Sequence, residues 1–127
     1  MAGKSVAQKM FMKPKDRVAA LDAPPGYRTL VGPLPEGVVV VPRIDDATRL
    51  VHAFVRDRAQ LETTLGVVAK TLPDDATLWI SYPKGGSGVP TDVNRDVARR
   101  LAQGHGLAAV SQVAVDETWS ALRFKRA

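Results

Sequence analysis

The chain has 127 residues, long enough to bury a hydrophobic core, and we assign residues 1–127 to a single domain. It contains no cysteine, which excludes disulfides, thiolate metal ligands and cysteine nucleophiles. No apolar run approaches the ~20 residues of a membrane span. The segment 1–15 lacks the continuous apolar block of a secretory signal, so a cytoplasmic location is expected.

Lysine and arginine outnumber aspartate and glutamate by 18 to 13, which gives a formal net charge of +5. Part of this excess lies near the two ends of the chain, in Lys4, Lys9, Lys13, Lys15, Arg17, Arg123, Lys125 and Arg126. Such residues form either a contact surface for nucleic acid or another acidic ligand, or a solvated basic surface. No basic run is interleaved with aromatic residues, as in single-strand binders, so we favour the solvated surface and expect no nucleic-acid partner.

The first half of the chain alternates short apolar runs with turns rich in proline and glycine. It predicts a short helix within 4–12, a strand over 17–21, one helical turn over 27–31 and a strand over 38–41. Pro14 ends the first helix, because proline cannot continue the helical hydrogen-bond pattern. The strand 38–41 consists of four valines, so both of its faces are apolar.

The second half places two longer helices between apolar strands. The first helix is predicted to begin at Asp57, with Gln60 three residues on in a form of capping box, and the second at Thr91. The link between the last two strands is too short for a parallel crossover, so they form an antiparallel pair. Alternation in the last strand predicts a place at the sheet edge. The predicted strands cover 50–55, 77–82, 107–115 and 119–125.

Apolar strands separated by helices are typical of a parallel sheet covered by helices on both sides. The predicted class is therefore α/β: a three-layer domain whose mostly parallel sheet ends in an antiparallel C-terminal hairpin. Over most of the chain, this order of elements resembles the Rossmann-like methyltransferases, so the resemblance implies a Rossmann-like domain.

In that superfamily, a glycine-rich loop after the first strand cradles the cofactor, and an acidic residue ends the second strand. Here the first strand runs into Asp22-Ala23-Pro24-Pro25-Gly26-Tyr27, and the second ends in Pro42-Arg43. Proline has no backbone N–H to donate, and arginine cannot accept hydrogen bonds from a ribose. The resemblance therefore implies the methyltransferase fold without its cofactor loop, and no cofactor is predicted.

Four segments carry a closer resemblance: 21–27, 79–84, 91–92 and 116–124. They are similar to a bacterial family known as domain-of-unknown-function family 3052, and together they span nearly the whole chain. The family has no established activity, so this resemblance implies a fold and no mechanism.

The stretch 79–92 predicts a buried strand, a glycine-rich turn and a helix start, the kind of junction where α/β proteins bind ligands. Glycines let backbone N–H groups converge, Lys84 supplies positive charge, and the helix start near Thr91 adds a favourable dipole. The alternative is a flexible loop whose glycines only permit the turn. The hypothetical anion-binding residues are Tyr82, Lys84, Gly85, Gly86, Ser87 and Thr91.

The turn after the first strand supplies the other hypothetical ligand-binding residues, Asp22, Gly26 and Tyr27. The strands that precede this turn and the loop 82–91 are both predicted to be interior and parallel. We therefore expect the two loops to share one edge of the sheet and to form a common crevice. Asp22 and Tyr27 would orient polar groups of a ligand there. The alternative is a rigid turn in which Asp22 caps the short helix.

The remaining polar candidates are interpreted as structural. His52, in an apolar run, is predicted to be a hydrogen-bonded core residue, and His105, between two glycines, to cap a helix C-terminus. Two isolated histidines make no metal site, and no serine lies in a nucleophile elbow, so neither metal ligands nor catalytic residues are predicted. Arg95, Arg99 and Arg100 are interpreted as a solvated helix face.

Three functional hypotheses follow. The leading one is a non-catalytic, methyltransferase-like domain that binds a small anionic or polar ligand, or a protein partner, at the C-terminal edge of its sheet. The second is an enzyme that acts on a nucleotide-like substrate through Asp22, Tyr27, Tyr82 and Lys84. The third is a nucleic-acid accessory protein that uses the basic termini. The sequence identifies neither the ligand nor the oligomeric state.

Overall fold

The computed structural model describes residues 4–127, so residues 1–3 of the predicted domain lie outside it. Its strands form one six-stranded sheet in the order β2-β1-β3-β4-β6-β5. Within the described residues, no helix is both long and apolar enough to cross a membrane. The elements are α1 (Val6–Lys9), β1 (Arg17–Leu21), α2 (Tyr27–Val31), β2 (Val39–Val41), β3 (Leu50–Phe54), α3 (Arg58–Thr71), β4 (Thr77–Pro83), α4 (Arg95–Gln103), β5 (Leu107–Ala114) and β6 (Trp119–Arg126).

Strand pairing changes from parallel to antiparallel along the sheet. β1 pairs in parallel with β2 and with β3, and β3 pairs in parallel with β4. β6 pairs antiparallel with β4 on one side and with β5 on the other. The domain is therefore a mixed α/β fold with a mostly parallel sheet and an antiparallel C-terminal hairpin, which confirms the predicted fold class.

One strand occupies a different place in the sheet from the one predicted. The alternation in β6 predicts an edge strand, but β6 lies between β4 and β5, and β5 forms the edge. That prediction is wrong because the polar positions of β6 include small residues such as Ser120, which is buried. The valine run, apolar on both faces, forms the opposite edge as β2, where Val39 is 47% exposed. β-branched residues favour strands at an edge as well as inside a sheet.

Helices cover both sides of the sheet, so the molecule has three layers. Leu61, Leu65 and Val68 of α3 pack on one face together with α4, which we call the α3–α4 face. Helices α1 and α2 pack on the opposite face, the α1–α2 face, around the buried Trp79. The Trp79 indole N–H donates to the Met10 carbonyl oxygen at 3.2 Å, which fixes the N-terminal segment to β4.

Of the two longer helices, one begins where the sequence predicts and the other does not. The Asp57 carboxylate accepts the Gln60 N–H at 2.8 Å, which confirms the predicted start of α3. The N-cap of α4 is Asn94, so the start predicted at Thr91 is wrong. The Thr91 hydroxyl accepts the Val93 N–H at 3.1 Å, a local turn that uses the same type of residue as a cap.

Two other predicted caps are also corrected. The N-cap of α2 is Gly26 and no side chain bonds to it, so Asp22 does not cap that helix. The C-cap of α4 is Gly104, and His105 lies one residue beyond it, with its Nε2 3.4 Å from a carboxylate oxygen of Glu62. Gly104 keeps right-handed helical angles, at φ −64° and ψ −16°, and its N–H donates to the Leu101 carbonyl at 3.2 Å.

His52 is a fully buried core residue, as predicted. Its Nδ1 lies 2.9 Å from the Tyr27 hydroxyl oxygen, and its Nε2 lies 2.6 Å from Ser81 Oγ. A neutral imidazole has one donor and one acceptor, and both partners are hydroxyls, so either tautomer is satisfied. Burial lowers the pKa of His52 to about 3, and the ring is therefore neutral in the folded protein near neutral pH.

This depressed pKa predicts that stability falls with acidity. Between the ordinary histidine pKa of about 6.5 and about 3, the unfolded chain binds a proton at this residue that the folded chain does not. The free energy of unfolding should therefore fall by up to about 1.4 kcal/mol per pH unit on account of His52 alone. Urea denaturation from pH 7 down to pH 4 should show this slope in the wild type and its loss in His52→Gln. His105→Gln serves as the control and should retain it; an unchanged slope in His52→Gln would contradict the buried neutral ring.

Candidate functional site

The loops that follow β1 and β4 lie on the same edge of the sheet, as predicted. Both strands run in the same direction, because β3 pairs in parallel with each of them. Their carboxyl ends, and that of β3 between them, therefore meet at one edge, where ligands of α/β proteins usually bind.

Aromatic side chains occupy the space between these loops on the α1–α2 face. The Phe54 ring packs edge-on against Tyr27, with centroids 5.8 Å apart, and against Trp119, with centroids 5.0 Å apart. Tyr27 is buried, and its hydroxyl is bonded to His52. The expected common crevice is divided as a result: Tyr27 and Lys84 line different cavities.

The cavity beside the first loop has a volume of about 430 Å³ and lies at the ends of β1 and β2. Asp22 is its acidic residue; the backbone of Asp22 has a left-handed φ of 55°. Gly26 also has positive φ, at 79°, and a Cβ built there meets nothing within 4 Å. The positive φ of the turn is therefore what favours glycine here, since no other described part of the chain approaches the Gly26 backbone closely.

The glycine-rich loop after β4 bonds partly to itself. The Ser87 N–H donates to the Lys84 carbonyl at 3.2 Å, and the Val89 N–H to Ser87 Oγ at 3.4 Å. Gly86 adopts a positive φ of 81°, and a Cβ there would meet nothing within 4 Å. These glycines permit the turn, as in the alternative interpretation, and two of the loop N–H groups already have acceptors within the loop.

The end of this loop is fixed to the junction between β3 and α3. The Thr91 hydroxyl donates to the Arg56 carbonyl at 2.7 Å, and the Asp92 carboxylate accepts the Arg58 N–H at 2.8 Å. Arg56 in turn holds its guanidinium over the Trp119 ring, 5.5 Å from the centroid. Thr91 therefore positions the loop, and the helix start that the sequence places beside it lies at Asn94 instead.

A groove lined by both polar and apolar side chains lies on the α3–α4 face at the carboxyl end of β4. A cavity of about 530 Å³ adjoins a second of about 270 Å³, and the two share Arg95 and Gln112. We call this the α4 groove. It is defined by Tyr82, Lys84, Arg95, Arg99, Gln112 and Ser120.

Hydrogen bonds connect the strands across the floor of the α4 groove. The Gln112 Nε2 donates to Ser120 Oγ at 2.8 Å and to the Tyr82 hydroxyl oxygen at 3.2 Å. Burial raises the pKa of the Tyr82 phenol, with the Ser120 hydroxyl and the charge of Arg95 acting in the opposite direction. A phenol that stays neutral and accepts from Gln112 can still donate its O–H hydrogen to a ligand.

Three cations supply the charge of the α4 groove. Arg95 and Arg99 are four residues apart on α4 and therefore lie on the same side of the helix, and Lys84 lines the groove from the loop after β4. Arg99 has a carboxylate oxygen of Asp96 at 3.8 Å. Among the described residues, those that line the groove include no aspartate or glutamate. The groove is therefore suited to an anion.

The structure divides the predicted site residues between different places. Tyr82, Lys84 and Gly85 line the α4 groove, whereas Asp22 and Tyr27 line the cavity beside β2. The four residues of the enzyme hypothesis therefore do not converge on one cavity. Whether the predicted residues bind a ligand stays a prediction.

Sequence reasoning missed four residues of the groove. Arg95 and Arg99 are exposed, as their interpretation as a solvated helix face predicts, and they also line the groove. Their four-residue spacing is a signal for a shared helix side that the sequence does contain. Gln112 and Ser120 carry no such signal, because only strand register brings them beside Tyr82. Within residues 4–127, no group of three or more histidine or acidic side chains is arranged to hold a metal ion.

Solved structures of methyltransferases share this fold. The chain is 11% identical to an S-adenosylmethionine-dependent methyltransferase from Aquifex aeolicus, with a TM-score of 0.58 over 95% of this chain and 89% of the other. It is 10% identical to a ribosomal-protein methylase from Lactobacillus delbrueckii subsp. bulgaricus, with a TM-score of 0.59 over 94% and 74%. It is 14% identical to LepI, solved with S-adenosylhomocysteine and a substrate analogue, with a TM-score of 0.54 over 96% of this chain but only 39% of LepI.

These similarities show that the chain has a Rossmann-like fold of the methyltransferase type. At 10–14% identity they show the fold alone. No protein-family model matches the chain, so the resemblance to family 3052 stays a prediction. No curated protein matches it either.

The cofactor named in these structures does not fit the corresponding turn of this chain. Pro24 and Pro25 have no N–H to donate. Pro42 and Arg43 follow β2 in place of a carboxylate that would accept from ribose hydroxyls. These four positions therefore do not supply the backbone donors or the carboxylate that hold a nucleoside cofactor in this fold.

We predict that S-adenosylmethionine does not bind tightly, because the first loop lacks the backbone donors. Up to ~1 mM S-adenosylmethionine should leave the melting temperature unchanged, since a ligand far below its dissociation constant adds no stability. Calorimetric titration should likewise detect no micromolar binding, with a methyltransferase of this fold as positive control. Micromolar binding that is weakened by Asp22→Asn would contradict this prediction and restore the first loop as a cofactor site.

Proposed function

We propose that this protein is a non-catalytic, methyltransferase-like domain that binds a small anionic ligand in the α4 groove. The observation that carries the proposal is the concentration of Lys84, Arg95 and Arg99 around a groove whose described lining residues include no carboxylate. Charged hydrogen bonds from such side chains are stronger than neutral ones and favour phosphate or carboxylate groups.

The neutral donors of the groove support the same ligand class. The bond from Gln112 uses only the oxygen of the Tyr82 hydroxyl, so this hydroxyl can donate its hydrogen to a ligand. Gln112 and Ser120 hold each other in place, so Tyr82 is oriented before a ligand arrives. Donors fixed in advance cost less ordering entropy when an anion binds.

The usual place of ligands in α/β proteins supports the location of the α4 groove. In α/β sheets, ligands bind outside the carboxyl ends of the strands, and the α4 groove begins at that end of β4. The first loop lacks the cofactor donors, so no methyl-transfer step is proposed. The ligand is instead held by α4, β4 and the C-terminal hairpin.

The first test measures anion binding by thermal stabilisation. Sodium phosphate, citrate and adenosine monophosphate, each added at constant ionic strength against sodium chloride, should raise the melting temperature of the wild type for at least one anion, because binding to the folded state alone stabilises it. No stabilisation by any of these anions would contradict the proposal.

Variants then locate the binding. Arg95→Gln and Lys84→Gln should each raise the dissociation constant of the stabilising anion by about tenfold or more, because a charged hydrogen bond contributes roughly 1.5–3 kcal/mol. Arg100→Gln is the matched control: Arg100 is an exposed arginine of the same helix that does not line the groove. Equal weakening in all three variants would indicate a general charge effect and would contradict a site in the groove.

A further inference from the structure

The N-terminal segment places an exposed aromatic ring beside the C-terminal strand. Met10 and Met12 are buried on the α1–α2 face, and between them the side chain of Phe11 points outward and is 57% exposed. Phe11 adopts a left-handed φ of 63°, uncommon for a large side chain. The anchor from Trp79 to the Met10 carbonyl holds this segment against the sheet.

Arg123 of β6 completes an aromatic and cationic pair with Phe11. Its guanidinium carbon lies 5.7 Å from the Phe11 ring centroid, within the range of a cation–π contact. Arg123 pairs across strands with Trp79, which explains why it reaches the segment that covers Trp79. The guanidinium lies over one face of the Phe11 ring, so a nucleobase can stack on the other face of the ring or on the outer face of the guanidinium.

Basic residues lie near this pair along the chain at both ends. Lys9 and Lys13 flank Phe11 in sequence, and Lys125 lies two residues beyond Arg123 on the same side of β6. Within residues 4–127, no carboxylate lies within 4.0 Å of the charged nitrogens of these basic residues. We call this surface the Phe11 surface, defined by Lys9, Phe11, Lys13, Arg123 and Lys125.

We propose that the Phe11 surface binds single-stranded nucleic acid without sequence preference. A base would stack on Phe11 beside Arg123, and the lysines would contact the phosphates on either side. In the basic segment 123–126 the aromatic residue is Phe124, which is buried and offers no surface for stacking. The fold supplies an exposed ring by bringing this basic strand to Phe11 of the N-terminal segment.

This surface is separate from the α4 groove. The α4 groove lies on the α3–α4 face, whereas Phe11 and Arg123 lie on the opposite face with Met10 and Trp79. The two proposals therefore fail or succeed independently.

The test measures binding of a fluorescein-labelled oligothymidine of about 12 nucleotides by fluorescence anisotropy at fixed low salt. The wild type should bind the single strand more tightly than a duplex of the same length. Phe11→Ala should weaken binding by about tenfold, a typical loss for one stacked base. Phe11→Trp keeps an aromatic ring and should bind about as tightly as the wild type. Lys125→Gln should make the dependence of binding on salt shallower by about 0.7 per lost phosphate contact.

Two controls separate binding from folding and from general charge. Phe11→Gly removes the ring at a positive φ that glycine adopts readily, so the melting temperature should not fall while affinity does. Arg100→Gln removes an exposed arginine of α4 that belongs to neither the α4 groove nor the Phe11 surface, and it should leave oligothymidine binding within about twofold of the wild type, because surface charges beyond a Debye length are largely screened.

Three outcomes would overturn the proposal. The first is no binding of oligothymidine by the wild type at low salt. The second is equal affinity of the wild type and Phe11→Ala, which would leave only a polyelectrolyte effect. The third is binding to phosphatidylserine vesicles that depends on Phe11 without binding to the oligonucleotide, which would make the surface a membrane contact.

Discussion

Antiparallel pairing inserts β6 between β4 and β5, and both the α4 groove and the Phe11 surface depend on that placement. Its register sets Ser120 opposite Tyr82 and brings Gln112 of the edge strand within hydrogen-bond distance of both. The floor of the α4 groove is therefore made of side chains from three strands. On the other face, the same strand carries Arg123 to the aromatic ring of the N-terminal segment. A shift of β6 by one residue would exchange its two faces and remove both arrangements.

The other face of the parallel half is closed by a buried polar and aromatic cluster. Tyr27, His52 and Ser81 join α2 to two neighbouring strands through hydrogen bonds, and Phe54 and Trp119 extend the packing to the C-terminal hairpin. All side-chain polar atoms buried in the described part of the chain have hydrogen-bond partners. The cluster fills the region between the loops after β1 and β4, which leaves the α3–α4 face as the side where a cavity opens at the end of β4.

The sequence predicts the fold well because its signals are local. Apolar runs such as Leu50–Phe54 mark the strands, and Asp57 with Gln60 marks the start of α3. The place of β6 is not predictable in this way, because Ser120 and its small neighbours resemble a solvated face until other strands cover them. The start of α4 is missed because Thr91 and Asn94 are both good capping residues, and only contacts with Arg56 decide between them.

The candidate site is less predictable than the fold because it depends on contacts distant in sequence. Lys84 and Tyr82 are identified from their place after a strand, but Gln112 joins them only through strand register. Tyr27 is a plausible ligand-binding residue in sequence. In the fold, however, α2 packs on the sheet and directs the Tyr27 hydroxyl into the core, where it is bonded to His52. Charge patterning on α4 has the same limit, since the helix shows which arginines share a side but not what that side faces.

We expect an anion to bind in the α4 groove and not at the edge of the sheet beside β2. Two-dimensional NMR of the nitrogen-15-labelled protein, titrated with inorganic phosphate at constant ionic strength, tests it residue by residue. The largest backbone amide shifts should cluster at residues 84–86, 94–99 and 111–112, and should saturate with one dissociation constant. Saturating shifts centred instead on residues 22–27 and 40–43, or shifts that never saturate, would contradict it.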